Sequence, residues 1–223
     1  MGRRMETHGA YAGRTVEQRR ADRRRRLIDA AFDIAGREGV AAVKVRALCE
    51  HAGLNDRYFY EHFRTVDELL VVVFEDQAAA AVTAVLDAIL HAPVAARPRV
   101  AWIVNACLDH ILGDPRRGRF LVESQATQPL RDKRAELIQL LSHMLIGQTR
   151  DVLGADLAED RKVQFAAHTV TAGVIDLTST WLAGKLDTDR DELAEFVTAM
   201  ILTSSEITGI LERELAEPAD AGH

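Results

Sequence analysis

The sequence predicts an all-α protein of about nine helices. Three observations carry that prediction. Apolar residues recur at 3.6-residue spacing along most of the chain. No alternating apolar–polar run survives between turn signals, so no strand is expected. Alanine, leucine and arginine dominate the composition, and all three favour helix. With 223 residues, 48% of them hydrophobic, the chain can bury a real core in one good-sized domain or two small ones.

Residues 1–17 mix Gly, Arg, His and Thr without periodicity, the pattern turns helical from about Arg19, and the flexible, Arg-rich tail is set at 1–20. Leu27, Ala31 and Ile34 then form one apolar stripe, and Gly39 is its natural stop. Val45, Leu48 and Ala52 make the inner face of a short second helix. Gly53 ends it in the left-handed conformation, and Leu54 pins the turn. Asn55 is a good N-cap for a third helix from Asp56 to Phe63, with Phe59 and Phe63 facing inward. Thr65 and Glu68, at capping-box spacing, open a long fourth helix toward Leu90. Two prolines between His91 and Pro98 break it. Helical patterns follow at about 99–112, 115–124, 130–153, 160–185 and 190–215. Gly113-Asp114-Pro115, Gln128-Pro129, Gly154 and Asp187 punctuate them. The organisation expected is a tail (1–20), an N-terminal three-helix domain (21–81) and a C-terminal helical domain (82–217).

The net charge of −6 hides an asymmetry. Residues 1–64 hold 14 Lys/Arg against 9 Asp/Glu, while residues 65–223 hold 14 against 25. A basic front and an acidic back suit a protein whose N-terminal part meets a polyanion. Two cysteines, Cys49 and Cys107, make no disulfide framework and read as small buried apolar residues. There is no N-terminal apolar run of signal-peptide type and no unbroken stretch of 18 apolar residues. A cytoplasmic protein without a membrane span is expected.

Residues 44–63, KVRALCEHAGLNDRYFYEHF, have the layout of a helix-turn-helix. A helix fits the major groove of duplex DNA, and a tight turn lets the preceding helix brace it. Gly53 and Leu54 meet the turn's demand. Asn55, Asp56, Arg57 and Tyr58 put polar groups at the exposed end of the second helix, with Phe59 and Phe63 behind. Arg57 suits a bidentate contact to guanine O6 and N7, or else a phosphate contact or solvent. Asp56 could accept from a cytosine N4, orient Arg57, or simply favour the helix dipole as a first-turn carboxylate. Arginines 19, 20, 23, 24, 25 and 26 form a dense run suited to phosphate or minor-groove contact.

Gly39, Val45-Arg46-Ala47-Leu48, Ala52-Gly53, Tyr60-Glu61-His62-Phe63 and Asp67-Glu68-Leu69-Leu70 together resemble the DNA-binding domain of the TetR family of transcription regulators. The specific likeness spans about residues 21–81. Beyond it only the helical layout is similar. The resemblance implies DNA contacts from Lys44, Arg46, Asn55, Asp56, Arg57, Tyr58, Tyr60 and His62, with Tyr58, Tyr60 and His62 as phosphate ligands. The sequence departs from the family pattern in places. Lys44 stands where a Thr or Ser usually caps the second helix. Val66 replaces a backbone-contacting Lys, Arg57 a common Gly and Tyr58 a frequent Thr.

The last two helices carry small or apolar residues in stripes: Ala166, Val170, Gly173, Leu177, Trp181 and Gly184, then Leu193, Val197, Met200, Ser204, Ile207 and Leu211. They suit a four-helix homodimer interface, as the resemblance also implies. A two-fold protein reads a pseudo-palindromic operator. Between reader and dimer the resemblance implies a small-molecule effector site. Its candidate residues are Trp102, Ala106, His110, Phe120, Met144, Gln148, Phe165, His168 and Trp181, bulky or amphipathic residues that suit a largely apolar ligand. His110, His143 and His168 match no compact zinc spacing, and no metal or cofactor is expected. Paired carboxylates with a base, a phosphate-binding Gly loop and nucleophile motifs are missing from the sequence, which argues against an all-helical enzyme. The expected function is a DNA-binding, ligand-responsive transcriptional repressor acting as a homodimer. An activator or an effector-independent regulator is the alternative within the class.

Overall fold

The computed structural model describes residues 15–153 and 161–216, with side chains described over 15–148 and 161–204. Among these residues there are nine α-helices, one 3-10 turn and no strand. The helices are α1 (Val16–Glu38), α2 (Val45–Ala52), α3 (Asp56–Tyr60), α4 (Val66–His91), α5 (Ala96–Leu112), α6 (Pro115–Glu123), α7 (Gln128–Leu153), α8 (Arg161–Leu182) and α9 (Arg190–Ala216). The 3-10 turn covers Val40–Ala42.

Two local boundaries differ from the sequence expectation, each for a physical reason. The expected tail of 1–20 is too long, because α1 already starts at Val16. A capping box fixes that start: Thr15 Oγ1 accepts from Gln18 N at 3.1 Å, and Gln18 Oε1 accepts from Thr15 N at 2.9 Å. The T-x-x-Q spacing that marks such a start is present in the sequence. α3 stops at Tyr60, short of Phe63. There His62 N donates to Phe59 O, an i→i+3 bond that tightens the chain into a turn while Phe63 stays buried.

The other punctuation works as the side chains dictate. Gly53, at φ 60, closes α2 in the left-handed region, where a Cβ is costly. Asn55 caps α3 and Thr65 caps α4. Glu68 reaches back to Arg64 N at 2.8 Å, one residue before the usual capping-box partner. Asp114 caps α6, with Pro115 in its first turn.

Leu27, Ala31, Leu48, Phe59 and Leu69 are fully buried in the core of the N-terminal head. That core does not end at the head. It continues through Val73 and Phe74 of α4 to Phe120 of α6 and Leu130 of α7. The expected boundary at 81 therefore falls inside α4, which belongs to both units. α4 is long and apolar enough to span a membrane by length and composition alone. Here its first half fills the head core, while Ala78, Ala81, Val85 and Ile89 line an internal cavity of the body. A second core joins α5, α8 and α9 through Val104, Leu108, Leu193 and Val197, with Val174, Leu177 and Trp181 against them.

Candidate functional site

The turn between α2 and α3 sets the recognition surface. Lys44 sits at the N-cap of α2 without a capping side-chain bond, and both it and Arg46 are exposed. The loss of the cap leaves the lysine ammonium free to reach outward. Asn55 is exposed too, but its Oδ1 is engaged by Tyr58 N at 3.3 Å, so the cap role competes with any base contact. Arg57 is 84% exposed and paired with Glu61 at 3.2 Å, one helical turn on. Glu61, not Asp56, orients it. Asp56 instead takes the Cys49 thiol, and burial together with that carboxylate pushes the thiol up to about 11. Cys49 is thus a buried, protonated thiol beside the start of α3.

Tyr60 is 63% exposed and stands edge-on to buried Phe59, ring centroids 5.2 Å apart. It is a surface residue, not a core tyrosine. Tyr58 is half-buried beneath Arg23, whose guanidinium lies 4.5 Å from the ring centroid. His62 is half-buried, and its Nε2 has neither solvent nor a partner. Burial, together with Arg20, Arg23 and Arg24, lowers its pKa against the opposing pull of Glu61, so the ring is neutral at pH 7.

The arginine run divides by helix phase. Arg25 pairs with Asp29 at 2.9 Å and with Asp76 on α4 at 3.2 Å. Arg26 donates to the carbonyls of Ala52 and Gly53, covering the C-terminal end of α2. These two hold the head together. Arg23 and Arg24 lie over Tyr58 and Phe63, next to the recognition helix, and Arg19 and Arg20 are exposed. Arg19, Arg20 and Arg24 thus stay on the exposed side of α1, while half-buried Arg23 also approaches Glu61 at 3.9 Å.

A cavity of about 610 Å³ opens between α4, α5, α6, α7, α8 and α9. His110, Phe120, Met144 and Gln148 line it. Trp102 and Ala106 do not, because they occupy the other face of α5 from Val100, Ile103, Val104 and Cys107. Phe165 is 62% exposed near Arg161, and His168 is exposed. Trp181 packs in the α5–α8–α9 core and donates its Nε1–H to Thr188 O at 2.9 Å. These five are corrections: bulky side chains were identifiable in the sequence, but which way each helix turned them was not. The sequence reading missed Arg97, Arg99 and Arg117 on the wall. Exposed-looking arginines in amphipathic helices gave no signal of facing inward. Among the described residues no group of His, Cys, Asp or Glu is placed to hold a metal.

The stripes expected to pair two chains are split. Leu177, Trp181, Leu193 and Val197 serve the internal core, and Val170 and Val197 also face the cavity. Gly173 is exposed with no neighbour within 4 Å of a Cβ built on it, and Phe165 and Phe196 stand open at 62% and 57% exposure. The side chains of Ile207 and Leu211 lie outside the described residues.

A helix-turn-helix with an exposed polar reading edge, carried on a helical body with an apolar cavity, defines a DNA-binding regulator. Residues 27–73 match the family described as bacterial regulatory proteins, tetR family. The match covers the helix-turn-helix head of the chain, which is similar to the DNA-binding domain of that family of transcription regulators. No curated protein sequence matches it. Among solved structures, a protein of Pseudomonas aeruginosa PAO1 proposed to be a transcriptional regulator superposes with a TM-score of 0.68 at 18% identity, covering 92% of this chain and 97% of that one. The fatty acid degradation regulator FadR of Bacillus halodurans gives 0.64 at 18% identity, over 81% of this chain and 94% of its own. FadR of Bacillus subtilis, solved in complex with stearoyl-CoA, gives 0.63 at 20% identity, over 81% and 98%. At such identities the likeness speaks for the fold.

Proposed function

We propose that this regulator is a ligand-responsive repressor that binds a pseudo-palindromic operator as a homodimer and leaves it when an effector fills the cavity. It acts in the cytoplasm and carries out no catalysis. One observation carries the reading. α4 runs from Leu69 and Phe74 in the core of the head to Val85 and Ile89 in the cavity wall. A molecule wedged between α4 and α5–α8 cannot leave α4 unmoved, and α4 cannot move without the head. Ligand and DNA then favour different head spacings, and each weakens the other. The similar fold of Bacillus subtilis FadR holding stearoyl-CoA supports a body of this kind as a container for a largely apolar ligand.

Operator contact is assigned to Lys44, Arg46, Arg57, Tyr58 and Tyr60, with Asn55, Asp56 and His62 contributing more through the scaffold than by reaching the groove. Pairing of two chains is assigned to the outer faces of α8 and α9, around Phe165, Gly173 and Phe196. Selection of bound duplexes from a random pool tests the reading. A two-fold-related site is expected, and its gel shift is lost in the folded double variant Arg57→Ala, Tyr60→Ala. A folded wild type that enriches no duplex overturns it.

A further inference from the structure

We propose that the cavity takes an amphipathic monocarboxylate, with its apolar body between α4, α5 and α8 and its carboxylate on Arg117. The proposal rests on the reading of the cavity as the effector site and adds the chemical class of the ligand. The described wall is aliphatic and aromatic over most of its area, holds three arginines and contains no Asp or Glu. Arg97 is neutralised by Glu195 from outside the wall. Arg99 is satisfied by a neutral group: Gln148 Oε1 accepts from its Nε at 3.1 Å and its Nη2 at 2.7 Å. Arg117 is different. Its Nη1 donates to His110 O at 2.7 Å, and its Nε–H is buried without a partner.

The carboxylate nearest to Arg117 in sequence is already used, because Asp114 is held by both Nε and Nη2 of Arg116. His110 beside Arg117 cannot supply a counter-charge, and burial and the neighbouring arginine hold its pKa below the ordinary histidine range. A purely apolar ligand would strip the water from this guanidinium and leave a charge in a dry cavity, which is strongly unfavourable. A carboxylate satisfies it with a charge-assisted bond. The stretch of cavity between Arg117 and Arg99 suits a tail. Arg99 lies eleven residues before His110 on α5, about 16 Å away by helical rise, and Ala78, Ala81, Val85 and Ile89 line the course between.

The position of Arg117 gives the ligand leverage. The preceding residue, Arg116, reaches Asp33 in the head. A carboxylate drawing Arg117 inward pulls on the same turn of α6.

Dodecanoate and 1-dodecanol, equal in chain length, are titrated calorimetrically into the full chain, with dodecanoyl-CoA alongside. The acid is expected to bind at least about tenfold tighter than the alcohol, as a charge-assisted bond requires. Arg117→Gln is expected to bring that ratio close to one, while Arg117→Lys and Arg99→Gln keep a clear preference for the acid. Thermal melting of the unliganded variants verifies that they are folded. Equal binding of acid and alcohol, an unchanged ratio in Arg117→Gln, or thioester binding tighter than the free acid overturns the assignment. Alcohol that binds and releases operator as well as the acid overturns the head group but leaves the effector site standing. No binding by any of the three removes both.

Discussion

Arg116 of α6 and Asp33 of α1 form a 3.1 Å ion pair across the seam between the helical body and the DNA-reading head. The seam is tight. A Cβ on Gly36, one turn along α1, would lie 2.4 Å from Arg116 Cβ and 2.8 Å from its Cα. Arg116 also lies 4.8 Å from the Phe32 ring centroid and is held in place by Asp114. Asp33 in turn takes Arg37 at 2.7 Å and His51 of α2 at 3.2 Å. One carboxylate therefore links α6, α1 and α2.

Removing that link should loosen the head and weaken its control by ligand. Arg116→Ala is expected to cost about 1–2 kcal/mol, the scale of a partly buried charge-assisted pair. The ligand-induced loss of operator affinity should shrink with it. Melting temperature and titration of operator binding with and without effector measure the two effects. An unchanged ligand response in a destabilised protein would confine the pair to stability.

The same carboxylate gives a pH dependence of definite sign. Partial burial pushes the Asp33 carboxyl up, but hydrogen bonds from Arg37 and Arg116 and the charges of Arg37 and His51 outweigh it and hold the pKa below the ordinary range. Its stabilising share is therefore present above the unfolded value of about 3.9 and is lost as pH falls through the lower folded value. Asp33→Asn should flatten this part of the acid limb in urea melts taken between pH 5 and 3.

Gly36→Ala tests the close approach without touching charge. The added methyl meets the backbone of Arg116, so α1 and α6 must separate. A loss of about 1–3 kcal/mol is expected from overpacking, read as a lower urea midpoint. The Ala at position 36 is helically favourable, so a neutral or positive change would mean the seam yields easily.

The arginines of α1 should separate by role. Replacing Arg19, Arg20 and Arg24 with alanine is expected to lower operator affinity and flatten the slope of log K against log salt, by about 0.9 for each phosphate no longer neutralised. Arg26→Ala should act mainly on stability, because its guanidinium covers the α2 carbonyls of Ala52 and Gly53. Gel shifts across a salt series distinguish the two. An unaltered slope in the triple variant would reject the phosphate role.

Phe196 stands exposed on α9 where pairing of two chains is proposed. Phe196→Glu should convert the dimer to a monomer in sedimentation and weaken operator binding, since a single head covers only one half-site. A variant that stays dimeric places the interface elsewhere.

Much of this was legible in the sequence because the signals were local. Gly53 and Asn55 fix the turn and the cap through their own conformational and hydrogen-bonding preferences. Leu27, Leu48 and Phe59 declare an inner face by spacing alone. The pocket was less legible for the opposite reason. Trp102 and His110 lie on one helix, yet only His110 lines the cavity, and that depends on how α5 is turned against α4 and α9. Leu193 and Val197 show the same limit: a stripe marks a buried face but not whether its own chain or a second copy buries it.

By itself the sequence determined the helical class, the position of the reading unit and the basic charge around it, since periodicity, caps and charge act within a turn or two of chain. Only the tertiary structure decided that Arg25 and Arg26 brace the head, that Asp56 meets Cys49 rather than Arg57, and that Arg117 faces an apolar cavity while Arg116 grips Asp33. An arginine's long stem can lie along either side of its helix. Which partner it finds is set by the helices packed beside it.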